Sequence, residues 1–129
     1  MTPQSGMAVQ CPVVVVVDDD LAVCNSLKFS LELEGFAVRA YRSSAELFHA
    51  GNLDACNCFI IDQRLPAISG LELIAKLRDR HVLAPAILLT SNPNAALNER
   101  AAMANIPIVE KPLLGNALVE RIHEACSRG

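Results

Sequence analysis

The chain alternates between short apolar runs and longer segments in which apolar residues recur every three or four positions. The first run, Val13–Val17, is five consecutive valines, which predicts a strand that is buried on both faces. In the segment that follows, Val23, Leu27 and Leu31 share one helical face. Gly35 comes directly afterwards and is a typical stop signal for a helix.

The same alternation continues along the chain and predicts five strand–helix units. Strands are predicted at 13–17, 37–41, 58–61, 86–90 and 106–110. Helices are predicted at 21–34, from a capping box at 43–46 to about residue 50, from a second capping box at 69–72 to about residue 80, at 94–104 and at 114–127. Strands and helices that alternate in this way indicate an α/β fold with a parallel sheet. We therefore expect a flavodoxin-like, doubly wound sheet of five parallel strands in the order 2-1-3-4-5 with five helices.

Composition limits the kinds of protein that can have this pattern. With 129 residues, of which 52% are hydrophobic and 19% charged, the chain is long enough for one domain with a real core. We expect a flexible leader over 1–11 and a single domain over 12–129. The 11 basic residues are outnumbered by 14 acidic ones, the net charge is −3, and aromatic residues make up only 4%. This balance predicts that the domain makes no direct contact with nucleic acid.

The distribution of apolar and charged residues also predicts the compartment. The valine run is far shorter than the roughly 20 residues that span a bilayer, and no basic residue precedes Lys28, although a secretory signal needs one. We therefore predict a cytoplasmic protein without membrane contact. The chain has five cysteines but no Cys-x-x-Cys pair, which favours free thiols in a reducing compartment. The three histidines, His49, His81 and His123, are scattered and are expected to have surface or structural roles.

Residues with charged or hydroxyl side chains follow or end four of the five predicted strands. They are Asp18, Asp19 and Asp20 after the first strand, Asp62 after the third, Thr90 and Ser91 at the fourth, and Lys111 after the fifth. In doubly wound sheets, sites form outside the carboxyl ends of the strands, next to the switch point in strand order. The sequence therefore predicts one site that collects these side chains at one edge of the sheet.

The charges at this edge favour a metal-dependent phosphoryl site. Asp18, Asp19 and Asp62 would repel one another unless a cation lay between them, and carboxylate oxygens suit Mg²⁺ (or Mn²⁺). Lys111 adds a positive charge on a flexible side chain, and Thr90 adds a hydroxyl donor. Positioning and charge neutralisation are what phosphoryl transfer requires of a protein, and a carboxylate can accept the group. Asp20 is more simply explained as the N-cap of the first helix than as a metal ligand.

Four segments resemble the response-regulator receiver domain of two-component signal transduction. They are Val-Val-Asp18-Asp19-Asp20, Ile-Ile-Asp62-Gln-Arg-Leu-Pro66-Ala-Ile-Ser-Gly70-Leu-Glu-Leu, Leu-Leu-Thr90-Ser91 and Val-Glu-Lys111-Pro112. The resemblance extends from residue 13 to about residue 127. It implies that a sensor histidine kinase donates a phosphoryl group to Asp62, and that the domain is not an enzyme but assists its own Mg²⁺-dependent phosphorylation and dephosphorylation.

The resemblance also implies a role for each of the motif residues. Asp19 is expected to bind Mg²⁺ directly, Asp18 to help through water, and the backbone carbonyl of Arg64 to supply a further ligand. Thr90 and Lys111 are expected to stabilise the phosphoryl group and report its presence. The family implies a cis peptide bond before Pro112, and the side chains of Arg64 and Asn92 are candidates for tuning the phosphate lifetime.

Ile108 is a departure from the family pattern. Receivers usually have a tyrosine or phenylalanine three residues before the lysine of the fifth strand, and Ile108 stands at that position. The face of the fourth helix, fifth strand and fifth helix, through which the family contacts a downstream protein or output domain, is therefore expected to respond atypically. A homodimer is a further possibility.

Other functions remain as alternatives. The departure at Ile108 favours an atypical receiver that serves as a phosphorylation-independent interaction module. A flavodoxin-like electron carrier is disfavoured because Asp18 and its neighbours would repel a phosphate. A phosphatase that uses an aspartyl phosphate commonly has a second Asp where Arg64 stands. The segment 62–70 resembles receivers that precede helix-turn-helix outputs, so both a single-domain regulator and the receiver of a longer regulator are expected possibilities.

Overall fold

The computed structural model describes residues 12–113 and 115–128, so the predicted leader over 1–11 lies outside the described residues. Five parallel strands form one sheet in the order β2-β1-β3-β4-β5, as predicted. The elements are β1 (Val13–Val17), α1 (Leu21–Leu33), β2 (Ala37–Tyr41), α2 (Ser44–Ala50), a short 3₁₀ helix (Leu53–Ala55), β3 (Cys58–Asp62), α3 (Gly70–Asp79), β4 (Ala86–Thr90), α4 (Ala95–Met103), β5 (Ile108–Glu110) and α5 (Ala117–Arg128).

Two hydrophobic clusters pack on opposite faces of the sheet. On one face Val15 and Val17 of β1 join buried residues of α2, α3 and α4. On the other face Val14 and Val16 join buried residues of α1 and α5. Because successive side chains of a strand point to opposite faces, each cluster takes alternate valines, which is why β1 is apolar at every position. The helices cover the two faces of the sheet and leave the carboxyl ends of the strands accessible for a site.

Three helices end in the same hydrogen-bonded turn, in which one residue has a positive φ angle. In α1 this residue is Gly35 (φ 99°), as the sequence predicts, and in α3 and α4 it is His81 (φ 64°) and Asn105 (φ 59°). After α3, for example, the backbone N–H of His81 donates to the carbonyl of Arg78, and that of Val82 donates to the carbonyl of Leu77. These two bonds define the Schellman motif, which satisfies carbonyls that the helix itself leaves free.

The start of β5 differs from the prediction. The apolar run begins at Ile106, but the backbone N–H of Ile106 donates to the carbonyl of Ala101 and so belongs to the end of α4. Pro107 has no N–H, although its carbonyl accepts a bond from Leu88. The strand therefore begins at Ile108 instead of 106.

The fifth helix also begins later than the sequence predicts. Position 114 lies outside the described residues, Gly115 has a φ of 70°, and the helix starts at Ala117. The backbone N–H of Glu120 donates to the carbonyl of Asn116, which closes the first helical turn.

The two predicted capping boxes differ in how completely they form. At α3, the backbone N–H of Glu72 donates to Ser69 Oγ and that of Ser69 donates to the Glu72 carboxylate. At α2, Ser43 accepts from the backbone N–H of Glu46, but the Glu46 carboxylate accepts from Arg42 instead of Ser43. The second box is therefore confirmed and the first is only half formed. Among the described helices, none combines the length and the apolar character needed to cross a membrane.

Candidate functional site

Polar side chains from four loops and strand ends meet at the carboxyl edge of the sheet, as the sequence predicts. Three of them, Asp18, Asp62 and Thr90, are the polar side chains that are buried in the described part of the chain. They line a cleft of about 490 Å³ together with Lys111. Burying polar groups is unfavourable unless they are paired, so their concentration at one edge marks this cleft as the candidate functional site.

Three carboxylates lie close enough to share a cation. Asp18, Asp19 and Asp62 each offer an oxygen, and these oxygens all lie within 4.8 Å of one another. Asp18 and Asp62 are buried whereas Asp19 is exposed, so the cluster opens toward solvent through Asp19. An oxygen-only donor set that retains access to water suits a hard divalent cation such as Mg²⁺. The residues present therefore fit the predicted metal.

Lys111 joins two of these carboxylates. Its Nζ lies 2.8 Å from Oδ2 of Asp18 and 2.9 Å from Oδ1 of Asp62. Burial raises the pKa of Asp62, and the hydrogen bond from Lys111 offsets only part of that effect. Burial would lower the pKa of Lys111, but its bonds to Asp18 and Asp62 outweigh burial and leave that pKa raised. The ammonium of Lys111 therefore stays charged, and it compensates the ionised form of Asp62, which burial disfavours.

The loop between β1 and α1 fixes Asp18 from both sides. Oδ1 of Asp18 accepts the backbone N–H of Asp20, at 3.0 Å. Asp20 in turn accepts from the backbone N–H groups of Ala22 and Val23, so it is the N-cap of α1, as predicted. Beneath the loop, the thiol of Cys24 donates to the carbonyl of Asp18 at 3.2 Å. Sequence patterns gave no signal for this thiol contact.

The loop between β3 and α3 surrounds Asp62. The backbone N–H of Arg64 donates to Oδ2 of Asp62 at 3.1 Å. Gln63 closes the loop, because its carbonyl accepts from Gly70 and its side-chain oxygen accepts from the N–H of Leu71. A Cβ atom added at Gly70 would lie 2.5 Å from the backbone oxygen of Asp62, so α3 approaches the site at a distance that only glycine allows.

The strands β4 and β5 bring Thr90 and Lys111 together. The backbone N–H of Lys111 donates to the carbonyl of Thr90 at 2.8 Å, and Oγ1 of Thr90 accepts the backbone N–H of Asn92 at 3.1 Å. Asn92 is exposed at the rim of the cleft, as is Arg64. The Lys111–Pro112 peptide bond is cis.

Some residues near the site were not singled out by the sequence motifs. Arg42 directs a guanidinium nitrogen toward the carbonyl of Asp19, at 3.4 Å. Asn94, the N-cap of α4, and Arg100, in the last turn of that helix, also line the cleft. None of the three histidines lies along the cleft; His81 ends α3, and the ring of His123 packs 5.1 Å from that of Phe36.

Ile108 lies on β5 beside Leu88 of β4 and packs, half-buried, against the cluster that includes Leu97 and Ala101 of α4. The side chain is therefore between the sheet and α4. It has no polar atom, so it cannot form a hydrogen bond to Thr90.

The five parallel strands in the order 2-1-3-4-5, the acidic cluster at their carboxyl ends and the bridging lysine agree with the fold and the charge pattern that the motifs predicted. The family model of the response regulator receiver domain matches residues 14–123. The chain therefore belongs to the response regulator receiver domain family, as its motifs predicted.

Curated relatives agree with this assignment. The chain is 35% identical over 112 residues to the transcriptional regulatory protein FixJ of Rhizobium meliloti (strain 1021), covering 85% of this chain and 54% of the relative. It is 28% identical over 115 residues to the response regulator protein TodT of Pseudomonas putida (strain F1), covering 84% of this chain and 51% of the relative. The chain thus spans about half the length of these relatives.

Solved structures show the same fold. A CheY-like receiver domain protein from Methanospirillum hungatei JF-1 superposes with a TM-score of 0.82 at 24% identity, over 92% of this chain and 96% of that one. The response regulator StyR superposes with a TM-score of 0.83 at 27% identity, over 92% of this chain and 61% of that one.

Proposed function

We propose that this chain is a phosphoacceptor receiver that takes a phosphoryl group onto Asp62 with the help of Mg²⁺ and thereby switches its protein contacts. The observation that carries the proposal is the joint position of Asp62, Asp18, Asp19 and Lys111. Three carboxylate oxygens lie within 4.8 Å of one another, and one ammonium lies within 2.9 Å of two of these carboxylates. The third carboxylate, Asp19, is exposed, so a cation held by the three would keep access to water.

The transfer step is a displacement at phosphorus. An oxygen of Asp62 forms a bond to the phosphorus of a phosphohistidine on the kinase, while the phosphorus–nitrogen bond breaks and its electron pair stays on the imidazole, which takes up a proton. The phosphoryl oxygens carry negative charge, which they bring into the cleft as the group moves onto Asp62. Lys111 lies 2.9 Å from Asp62 and can donate to one of these oxygens, and the hydroxyl of Thr90 can donate to another once it turns.

Asp18, Asp19 and Asp62 would hold the cation, and family resemblance adds the backbone carbonyl of Arg64. When it is bound, Mg²⁺ supplies charge neutralisation for the carboxylates and the incoming phosphoryl oxygens. The chain itself keeps Asp62 directed into the cleft, since the N–H of Arg64 orients one of its oxygens and Lys111 orients the other. Hydrolysis of the acyl phosphate by water returns the starting state. Arg64 and Asn92 are exposed and line the cleft, which supports a role in controlling the access of that water.

A small-molecule adduct tests the proposal without a kinase. The protein is incubated with acetyl phosphate or with beryllofluoride, with and without Mg²⁺, and intact mass and amide NMR shifts are recorded. We expect a Mg²⁺-dependent adduct that is absent in Asp62→Asn. The matched control is Asp54→Asn, which removes an exposed carboxylate from the short 3₁₀ helix and should leave the adduct unchanged.

A second candidate is a receiver fold used as a phosphorylation-independent interaction module. Ile108 favours this candidate because it stands where the family usually has a tyrosine or phenylalanine. The same experiment separates the two candidates. If the wild-type protein forms no adduct with either reagent, the phosphoacceptor proposal is wrong and the interaction module is supported.

The proposed partners are a sensor histidine kinase on the site side and a downstream protein or output domain on the face of α4, β5 and α5. FixJ of Rhizobium meliloti is a transcriptional regulatory protein, so an output domain that acts on transcription fits a chain that spans about half of such relatives. We propose no direct nucleic-acid contact by this domain, since its net charge is −3. A homodimer through the same face would place two output partners side by side.

A further inference from the structure

Arg100 is a cation on α4 that lines the same cleft as Asp62. Its side chain is exposed, and it takes part in none of the ion pairs within 4.0 Å that join described residues. Lys111, in contrast, is already engaged by Asp18 and Asp62. Arg100 is therefore a positive group beside the site that no carboxylate of the described residues holds.

The charge of Arg100 also reaches the start of α3. The pKa of Glu72 is lowered mainly by hydrogen bonds from the backbone and hydroxyl of Ser69, and the field of Arg100 adds a smaller effect in the same direction. Arg100 thus lies in the space between α3 and α4, where it also borders a groove with Leu71 and Ile74. Arg100 is thus an exposed residue that borders both the cleft and the neighbouring groove.

The helix that carries Arg100 is held to the domain by few buried side chains. In α4 only Leu97 and Ala101 of nine residues are buried. In α3, five of ten residues are buried. Displacing α4 by a small amount therefore disturbs much less packing than displacing α3 would. An attraction that acts on Arg100 therefore has less buried packing to overcome than one that acts on α3.

We propose that Arg100 binds the phosphoryl group on Asp62 and so couples the modified site to the position of α4. This inference rests on the proposed function, because it needs a phosphoryl group on Asp62. Lys111 and Thr90 follow or end strands of the rigid sheet, whereas Arg100 is carried by the lightly packed helix. A phosphoryl group adds negative charge and three acceptor oxygens, which a guanidinium fork matches geometrically.

Arg100 would connect the phosphoryl group on Asp62 with α4 through polar contacts, which Ile108 cannot make. Ile108 packs between the sheet and α4 through apolar contacts alone, so it cannot detect charge at Asp62. Arg100 would sense that charge directly. Its neighbour on the inner side, Ala101, is buried in the same cluster as Ile108, so movement of Arg100 toward the cleft shifts the packing around β5.

The test compares Arg100→Gln with wild type in a beryllofluoride titration with Mg²⁺, followed by amide NMR. Arg100→Lys is the conservative variant. Arg121→Gln is the matched control, because it removes the same charge from an exposed position on α5 that lies outside the cleft. Thermal unfolding of each variant without beryllofluoride checks that the fold is intact.

We expect Arg100→Gln to bind beryllofluoride about fivefold to tenfold more weakly than wild type. The adduct shifts over residues 95–103 should be lost while those around Asp62 remain, Arg100→Lys should recover part of both effects, and Arg121→Gln should match wild type. Wild-type affinity together with wild-type shifts over 95–103 in Arg100→Gln would overturn the role of Arg100 alone. The absence of any Asp62-dependent adduct in the wild-type protein would instead overturn the proposed function, and the role of Arg100 with it.

Discussion

The ammonium of Lys111 lies 2.8 Å from Oδ2 of Asp18, a side chain that comes 93 residues earlier in the chain and is fully buried. The same nitrogen lies 2.9 Å from Oδ1 of Asp62. One cation thus compensates two buried carboxylates, which fixes the end of β5 against the ends of β1 and β3. In the absence of a metal ion, the stability of this edge depends on Lys111.

Replacing Lys111 with methionine should therefore destabilise the protein. Removing one partner of a buried ion pair leaves uncompensated charge, and we expect the free energy of unfolding to fall by about 3 kcal/mol in metal-free buffer. Equilibrium unfolding in urea measures the change. In an Asp62→Asn background one of the two carboxylates is neutral, so Lys111→Met should cost clearly less there. An equal cost in both backgrounds would show that Lys111 and Asp62 are not coupled.

Gly70 gives a second prediction, because it is the point at which α3 touches the site. A Cβ atom there would meet the backbone oxygen of Asp62 at 2.5 Å and Cδ1 of Leu88 at 2.8 Å. A change of rotamer cannot relieve contact with a backbone atom. Alanine favours helices more than glycine does, but the clash outweighs this effect, so we expect Gly70→Ala to lower the free energy of unfolding by about 2 kcal/mol. We also expect it to weaken beryllofluoride binding.

The control for Gly70 is the reverse exchange on the same helix. Ala75 is exposed, so Ala75→Gly should cost about 1 kcal/mol through helix propensity alone and leave beryllofluoride binding unchanged. Stability by urea unfolding and affinity by NMR titration are measured on both variants. If Gly70→Ala behaves like Ala75→Gly in the binding experiment, contact between Gly70 and Asp62 does not position the site.

The strand order and the convergence of Asp18, Asp62 and Lys111 could be predicted from the sequence because both follow from simple rules. Alternating strands and helices leave few topologies, and these topologies bring carboxyl ends to one edge. The start of β5 could not be predicted in the same way. Apolar character begins at Ile106, but the hydrogen bond that decides the boundary joins Ile106 to Ala101 across the end of α4.

Arg100 escaped sequence reasoning for a different physical reason. It follows no strand and belongs to none of the motifs, and an exposed arginine on an alanine-rich helix has no distinguishing pattern. Only the three-dimensional placement of α4 brings it to the cleft. Contacts of this kind depend on how a lightly packed helix is oriented, which local periodicity does not encode.

His81 provides a prediction about helix ends. It has a φ of 64° at the end of α3, where the Schellman bonds require this conformation, and the left-handed region is unfavourable for a residue with a Cβ atom. We expect His81→Gly to raise the free energy of unfolding by about 1 kcal/mol. Asn105 holds the equivalent position after α4, and since asparagine tolerates this region, Asn105→Gly should raise it by less. Thermal and urea unfolding rank the two variants, and a larger gain for Asn105→Gly would contradict the argument.

The capping box of α3 should make stability depend on pH in acid. Hydrogen bonds from the backbone and hydroxyl of Ser69 lower the pKa of Glu72 in the folded state, with smaller effects from Arg100 and Lys76. A folded-state pKa below the unfolded value gives stability that is fully present above the unfolded pKa and is lost as the pH falls through the folded pKa. Glutamine keeps an acceptor oxygen but cannot ionise, so Glu72→Gln should lack this contribution at every pH.

The measurement is the difference in free energy of unfolding between wild type and Glu72→Gln, from urea titrations at neutral pH and at several acidic values. Wild type should be the more stable protein at neutral pH, and the difference should shrink as the carboxylate is protonated. Ser69→Ala removes the hydroxyl and should cost about 1 kcal/mol at neutral pH. In that background the Glu72→Gln difference should vary less with pH, because part of the cause of the lowered pKa is gone. A difference that stays constant or grows on acidification would show that the ionised form of Glu72 is not what the capping box stabilises.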